Sequence, residues 1–373
     1  MRAVVLSLLL TPIMSQATWN NNHYLDIVNI INNNPRSTWK AKLSKDIPYE
    51  NEAALKSMLG AIPGPDLPPP KKTPSGRTLQ TDTNPPETYD LRSIYQVECP
   101  SISKIRHQGQ CGSCWAVSVA NAITDAYCIQ HSKNNVVTQG TFSYQDLLEN
   151  CPWKLCGTVP EKDKTNPTII LTNGGCGGGS IKNTLEYVKN FGVVTGEGPT
   201  ETNLCKPYTV TNQKIPKGKY PITPLPNPTC WNSPAIDYVR DKMKIAGYTT
   251  LQGTQKLPLR EVARHEIIKN GPIVVIFAVY EDFLTYKSGV YTKQDTIFDA
   301  KKQTNVPNKH MGWHAVRIIG WGVQSAGNPG TPVLFWLAAN SWGTNWGENG
   351  FFKILRGNDH CRFESWLYSV QAI

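Results

Sequence analysis

From residue 99 onward the apolar positions follow two different rhythms. Behind Cys114 they recur at helical spacing across 114–130. The same period returns at 143–150, where Ser143 stands as an N-cap, at 180–190, closed by Gly192, and near 258–270, which runs into Gly271-Pro272. Beyond that helix come short runs rich in branched and aromatic residues, at 273–280, 315–321, 333–338 and 351–355, broken by glycine and proline. A helical half followed by a sheet-forming half predicts an α+β chain of two lobes, helical over about 99–250 and β over about 251–360. No internal repeat interrupts the pattern.

Ahead of this region the chain is Asn-rich. It carries two apolar sets of helical spacing, Leu25-Ile27-Val28-Ile31 and Ala53-Leu55-Met58-Leu59. Neither is long enough to be a stable helix alone. The stretch 63–74, PGPDLPPPKKTP, sustains neither helix nor central strand, because proline lacks the amide donor and fixes its own backbone angle; an exposed, cleavable linker is expected. Residues 1–17, MRAVVLSLLLTPIMSQA, combine one positive charge, a short apolar run and small residues before a cut, which reads as a secretory signal peptide. No apolar stretch of the ~20 residues needed to span a bilayer occurs, so a mature protein without a membrane anchor is expected.

The chain has 373 residues, long for one domain. Ten cysteines on a secretory route imply disulfides. The formal charge of +10 is scattered, with no basic run interleaved with aromatics, so no nucleic-acid partner is expected. The only Asn-x-Ser/Thr patterns, at Asn166 and Asn227, are blocked by proline, which argues against N-glycosylation.

The densest chemical signal is Gln108-Gly109-Gln110-Cys111-Gly112-Ser113-Cys114-Trp115, directly ahead of a helix. A thiol at a helix N-terminus meets the partial positive charge of unpaired backbone donors, which favours the nucleophilic thiolate. A nearby imidazole lowers the thiol pKa further and supplies a proton to a leaving amine. His314, in Gly312-Trp313-His314-Ala315, and Asn340, in Asn340-Ser341-Trp342-Gly343, are candidates for base and orienting amide. Trp342 is placed to screen their bond from water, and Gln108 to aim its amide at a developing oxyanion beside the Cys114 N–H. Singly, each of these residues is more often structural. A thioredoxin-like use of Cys111 and Cys114 lacks the βαβ surroundings and leaves His314, Asn340 and Gln108 idle, and a zinc site lacks a second ligand pair, so no cofactor is expected.

Over nearly all of 85–373 the chain resembles the papain superfamily of cysteine proteases, and within it cathepsin B. The likeness is carried by Glu98-Cys99-Pro100, the CGSCW segment, 286–291 (YKSGVY), 319–322 (IGWG) and 350–357 (GFFKILRG). It implies a two-lobe fold, with a helical left lobe and an antiparallel β-barrel-like right lobe. The residues implied are Cys114, His314, Asn340 and Gln108, a reaction through a thioester, protein or peptide substrates, and a monomer. Residues 18–84, with Ser37-Thr38-Trp39-Lys40-Ala41, resemble the short cathepsin B propeptide, which implies a zymogen whose propeptide fills the cleft in reverse and inhibits it. Localisation would follow as the secretory pathway, ending in a lysosome-like vesicle or outside the cell. The implied disulfides are Cys99 with Cys128, Cys111 with Cys176, Cys151 with Cys156 and Cys205 with Cys230, leaving Cys114 and Cys361 free. Gly178 and Gly179 match glycines that pair with the substrate backbone. Glu364 matches an acidic residue at the bottom of the second subsite.

Departures accompany the likeness. Cys114 and His314 are farther apart than the roughly 130–150 residues usual between them, with 157–171 and 295–309 as insertions. Trp313 replaces a small residue before the histidine, and Asn150 stands where a family cysteine is expected. In cathepsin B a disulfide-closed loop carries two histidines that bind a substrate's terminal carboxylate, and an Asp before the Gln pairs with one of them. Here the matching segment, Cys205 to Cys230, has no histidine, offers only Lys206, Lys214, Lys217 and Lys219, and His107 occupies the Asp position. An endopeptidase is therefore expected, with a non-catalytic peptide-binding protein on the same fold as the alternative.

Overall fold

The computed structural model describes residues 21–65, 84–134, 140–151, 156, 175–198, 203–210, 223–254, 257–299, 303–325 and 331–373. The expected signal peptide, most of the proline-rich linker and the 157–171 insertion lie outside these residues.

The N-terminal segment forms helix α1 (Asn21–Asn33), strand β1 (Trp39–Ala41) and helix α2 (Glu52–Ser57). These short elements owe their order to tertiary packing. Tyr24, Ile27, Ile31, Trp39, Leu55 and Met58 all enter the core shared with the β lobe. Leu25, expected on the apolar face of α1, points to solvent at 43% exposure, and Tyr24 takes its place.

The helical lobe is built on α3 (Cys114–Lys133), with α4 (Tyr144–Asn150), α5 (Ile181–Phe191) and, against the β lobe, α6 (Leu259–Asn270). α3 is buried on every side over its first three turns, which its mostly small and apolar composition permits. Ser143 caps α4 by accepting from Asp146 N at 3.0 Å, and Ser180 caps α5 in the same way. Gly192, at φ +75°, ends α5.

The strands of the second lobe are β2 (Gly247–Thr250), β3 (Ile273–Tyr280), β4 (Tyr286–Tyr291), β5 (Thr296–Asp299), β6 (Thr304–Pro307), β7 (His310–Ser325), β8 (Pro332–Ala339), β9 (Phe351–Leu355) and β10 (Trp366–Gln371). All but β5 and β6 join one sheet in the order β1-β4-β9-β8-β7-β3-β10-β2, with Tyr89–Asp90 added against β7. Every pairing in it is antiparallel except β9 with β4. The N-terminal segment thus contributes a strand to the main sheet. Trp39 sits opposite Gly289, where a Cβ would lie 2.6 Å from the Thr38 carbonyl oxygen, so only glycine admits β1 so closely.

The structure brings together the four cysteine pairs Cys99–Cys128, Cys111–Cys176, Cys151–Cys156 and Cys205–Cys230, and leaves Cys114 and Cys361 as thiols. Cys111 is bonded away from Cys114, which removes the redox reading of their CxxC.

Candidate active site

Cys114 is the first residue of α3, and its N-cap Ser113 makes no side-chain cap bond, so the N–H groups of Cys114 and Trp115 stay available to the thiol. His314 lies on β7 opposite Phe277 of β3, and Asn340 follows the last residue of β8. Pairing of β7 with β8 brings them together, His314 Nε2 to Asn340 Oδ1 at 2.8 Å. Trp342, fully buried, lies over the imidazole with ring centroids 4.7 Å apart and shields that bond. His314 Nδ1 has no hydrogen-bond partner among the described residues, so one face of the base is uncommitted. The backbone N–H of Ala315, next in the chain, hydrogen bonds the Cys114 sulfur and sets β7 against the start of α3.

The N-terminal segment crosses this site. Gly60 N donates to Cys114 Sγ at 3.3 Å, and a Cβ at residue 60 would fall 1.9 Å from the Gly112 carbonyl oxygen. Gln108 is wholly buried, and its Nε2 donates to Met58 O at 2.9 Å and to Cys111 O at 2.7 Å. Its amide thus already holds a carbonyl from the crossing chain. Gly179 N donates to Gly60 O at 2.8 Å and Gly179 O accepts from Ile62 N at 3.1 Å, a parallel bridge centred on Ala61. Ala61 N donates to the Trp313 carbonyl at 3.2 Å. Gly178, at φ +111°, would put a Cβ 2.6 Å from Gly60 O, so a side chain there would close this edge of the cleft.

Under this cover both reactive groups are neutral. Burial pushes the Cys114 thiol up to about 11, against the backbone donors around it. Burial likewise pulls His314 down to about 4, against the Asn340 bond.

The Glu364 carboxylate accepts from Trp336 Nε1 at 2.9 Å, Gly357 N at 2.7 Å and Asp359 N at 3.2 Å, so it braces the 357–363 turn. Trp366, two residues on, faces the crossing chain, donating to Pro65 O at 3.3 Å and packing edge-on against Trp313 at 5.1 Å. Lys206 is not available to a ligand, being fully buried between Asp146 and Glu149 at 3.2 and 2.7 Å. Tyr208 had no signal in the sequence. Its hydroxyl donates to Gln108 O at 2.8 Å and also bonds Ser113, bracing the backbone on both sides of the site.

The papain family cysteine protease model matches residues 85–370, the whole of the two-lobe region. The chain belongs to the papain family of cysteine proteases. It is 37% identical over 291 residues to a gut-specific cysteine proteinase of Caenorhabditis elegans, covering 77% of this chain and 74% of that one. It is 32% identical to a cathepsin B-like cysteine proteinase of Schistosoma japonicum, over 97% and 96% of the two chains. Among solved structures it is similar to procathepsin B S9 from Trypanosoma congolense, with a TM-score of 0.65 and 27% identity over 96% of this chain and 99% of the other. It is thus a cathepsin B-like member of the papain family, and the crossing N-terminal segment is its propeptide.

Proposed function

We propose that this chain is the secreted zymogen of a cysteine endopeptidase in which Cys114 is the nucleophile and His314 its base. The Cys114 thiolate attacks the scissile carbonyl carbon, and Gln108 Nε2 with the Cys114 N–H receives the oxyanion. The imidazolium of His314 gives its proton to the leaving amine, which departs and leaves a thioester. His314 then takes a proton from water as that water attacks the thioester, freeing the acid and the thiol. Asn340 fixes the tautomer and orientation of His314. One observation carries the reading: the 2.8 Å His314–Asn340 bond beneath Trp342, with the other ring nitrogen uncommitted on the strand whose next N–H binds the Cys114 sulfur.

The parallel bridge at Ala61 supports latency. A substrate pairing antiparallel with Gly179 would run the other way, so the propeptide fills the cleft in the direction opposite to that of a cleavable peptide. Replacing Cys114 with Ala or Ser is expected to abolish hydrolysis and self-maturation with the fold intact by circular dichroism. Retained turnover in the purified variant would sink the assignment. Asn340→Ala should lose less activity than His314→Ala, because it orients the base without transferring the proton. A peptide-binding protein without catalysis would instead resist labelling by an irreversible epoxide thiol inhibitor.

A further inference from the structure

One side-chain carboxylate of the propeptide lies beside the candidate catalytic residues and takes no part in the backbone pairing that fills the cleft. Asp46, between β1 and α2, accepts from Asn345 Nδ2 at 2.8 Å. A Cβ placed on Gly343 would come within 2.9 Å of Asp46 Oδ2, and the same Cβ would meet His107 Cδ2 at 2.7 Å and Nε2 at 3.4 Å. The carboxylate oxygen and the Nε2 edge of the imidazole thus converge over a glycine at φ +77°, where any side chain would fill the space they share. His107 Nδ1 accepts from Gly109 N at 3.0 Å, which leaves the ring proton on Nε2. Burial lowers the proton affinity of that ring, and the carboxylate that raises it is Asp46's.

The cradle is fixed to the proposed catalytic machinery. His107 bridges to Trp342, whose ring covers His314, and Gln108 N donates to Ser341 O at 2.9 Å. The propeptide meets Gln108 at Met58, Cys114 at Gly60 and Gly179 at Ala61. His107, Gly343 and Asn345 therefore stand past Gln108, on the side of the thiol away from Gly179. A substrate whose acyl part pairs with Gly179 puts its leaving part there. When the propeptide departs Asp46 goes with it, and an amide donor, an imidazole N–H and a glycine floor remain.

We propose that His107, Gly343 and Asn345 form a primed-side subsite that receives an acidic side chain of the substrate, so that the enzyme prefers peptides with Asp or Glu on the leaving side. In the zymogen the site is filled by a side chain whose backbone continues on both sides, which suits a residue within a peptide. Asn345 donates to the carboxylate, and the His107 Nε2–H edge faces it. A basic side chain in the same place would meet an imidazole N–H and no carboxylate. The inference rests on the proposed protease reading and names the substrates that reading leaves open.

The test uses the self-matured enzyme and peptides amidated at the carboxyl end, identical except for Glu, Gln or Lys at each of the first three positions past the scissile bond. At one of these positions Glu should raise kcat/KM roughly tenfold over Gln, the size expected of one charge-assisted hydrogen bond, with Lys below Gln. Asn345→Leu should remove most of that difference, and Asn345→Asp should reverse it in favour of Lys, because like charges then meet. Each readout is a ratio between two peptides on one enzyme, so a variant that is merely slower leaves it unchanged. Equal kcat/KM for Glu and Gln at all three positions would overturn the inference and leave the protease reading intact. A Glu preference that persists in Asn345→Asp would overturn it equally, by placing the acidic subsite elsewhere. Cleavage of none of the peptides, with no labelling of Cys114 by an epoxide inhibitor, would overturn the protease reading and this inference with it.

Discussion

Burial keeps His314 and Cys114 silent in the zymogen. The imidazole is pulled down to about 4, first by desolvation and against its bond to Asn340, and the thiol is pushed up to about 11. The thiolate–imidazolium pair that the proposed mechanism needs is therefore absent while Met58 to Ile62 cover the site. A linkage follows. A histidine with a lower pKa in the folded zymogen than in the unfolded chain binds fewer protons there between the two values. The folded zymogen thus keeps its full stability above the unfolded value, near 6.5, and loses it as pH falls toward 4. The loss from His314 amounts to about 3 kcal/mol at most. His360, also pulled down to about 4 by burial and then by Lys293, adds to the same slope. The prediction is that the full-length Cys114→Ala chain loses thermal stability steadily between pH 6.5 and 4, and that adding His314→Gln flattens the profile. An unchanged profile in the double variant would assign the acid sensitivity to His360 instead.

Between elements, a buried ion pair with no part in the proposed chemistry ties α3 to β7. Asp125, about three turns into α3, and Arg317, three residues beyond His314 on β7, are both buried and bonded to each other. Ser101 Oγ donates to the same carboxylate at 2.7 Å, and Arg317 also donates to Lys104 O at 2.8 Å. Arg317→Met leaves the carboxylate uncompensated and should cost ~3–5 kcal/mol by urea unfolding. Arg317→Met with Asp125→Leu should cost clearly less, and equal losses would mean the pair is uncoupled. Nothing in the sequence marked this link, because the residues lie far apart in the chain and neither sits in a motif. What was legible was local. The capped helices α4 and α5, the thiol at the start of α3 and the flanks of His314 and Asn340 all announce themselves within a few residues. Strand limits did not: β7 runs from His310 to Ser325, well past the apolar run 315–321, because β3 and β8 on either side set its length. β10 went unnamed for a similar reason, its WLYSVQ becoming a strand by lying between β3 and β2.

For the molecule as a whole, the open question is whether the primed end of the cleft admits a continuing chain. In cathepsin B that end is closed by histidines that hold a terminal carboxylate, and the corresponding Cys205–Cys230 segment here has none. Of its lysines, Lys206 is spent on Asp146 and Glu149 inside the protein, and Lys214, Lys217 and Lys219 lie outside the described residues. The start of the segment is fastened inward, Tyr208 bonding Ser113 and the Gln108 carbonyl, so this part of it supports the oxyanion side. The latch position is altered as well. His107 accepts from Gly109 N at 3.0 Å, and the carboxylate near its ring is Asp46 of the propeptide, which leaves on maturation. With neither a histidine pair nor its acidic partner, nothing among the described residues selects a chain end. A lysine on a flexible stem would hold a carboxylate as a point charge without the fixed geometry of two imidazoles. The mature enzyme is therefore expected to cut within chains. Two peptides extending two residues past the scissile bond, one with a free carboxyl end and one amidated, should be cleaved with kcat/KM values within a few-fold of each other. A strong preference for the free acid, with dipeptide as the main product, would show that the 205–230 segment still closes the cleft.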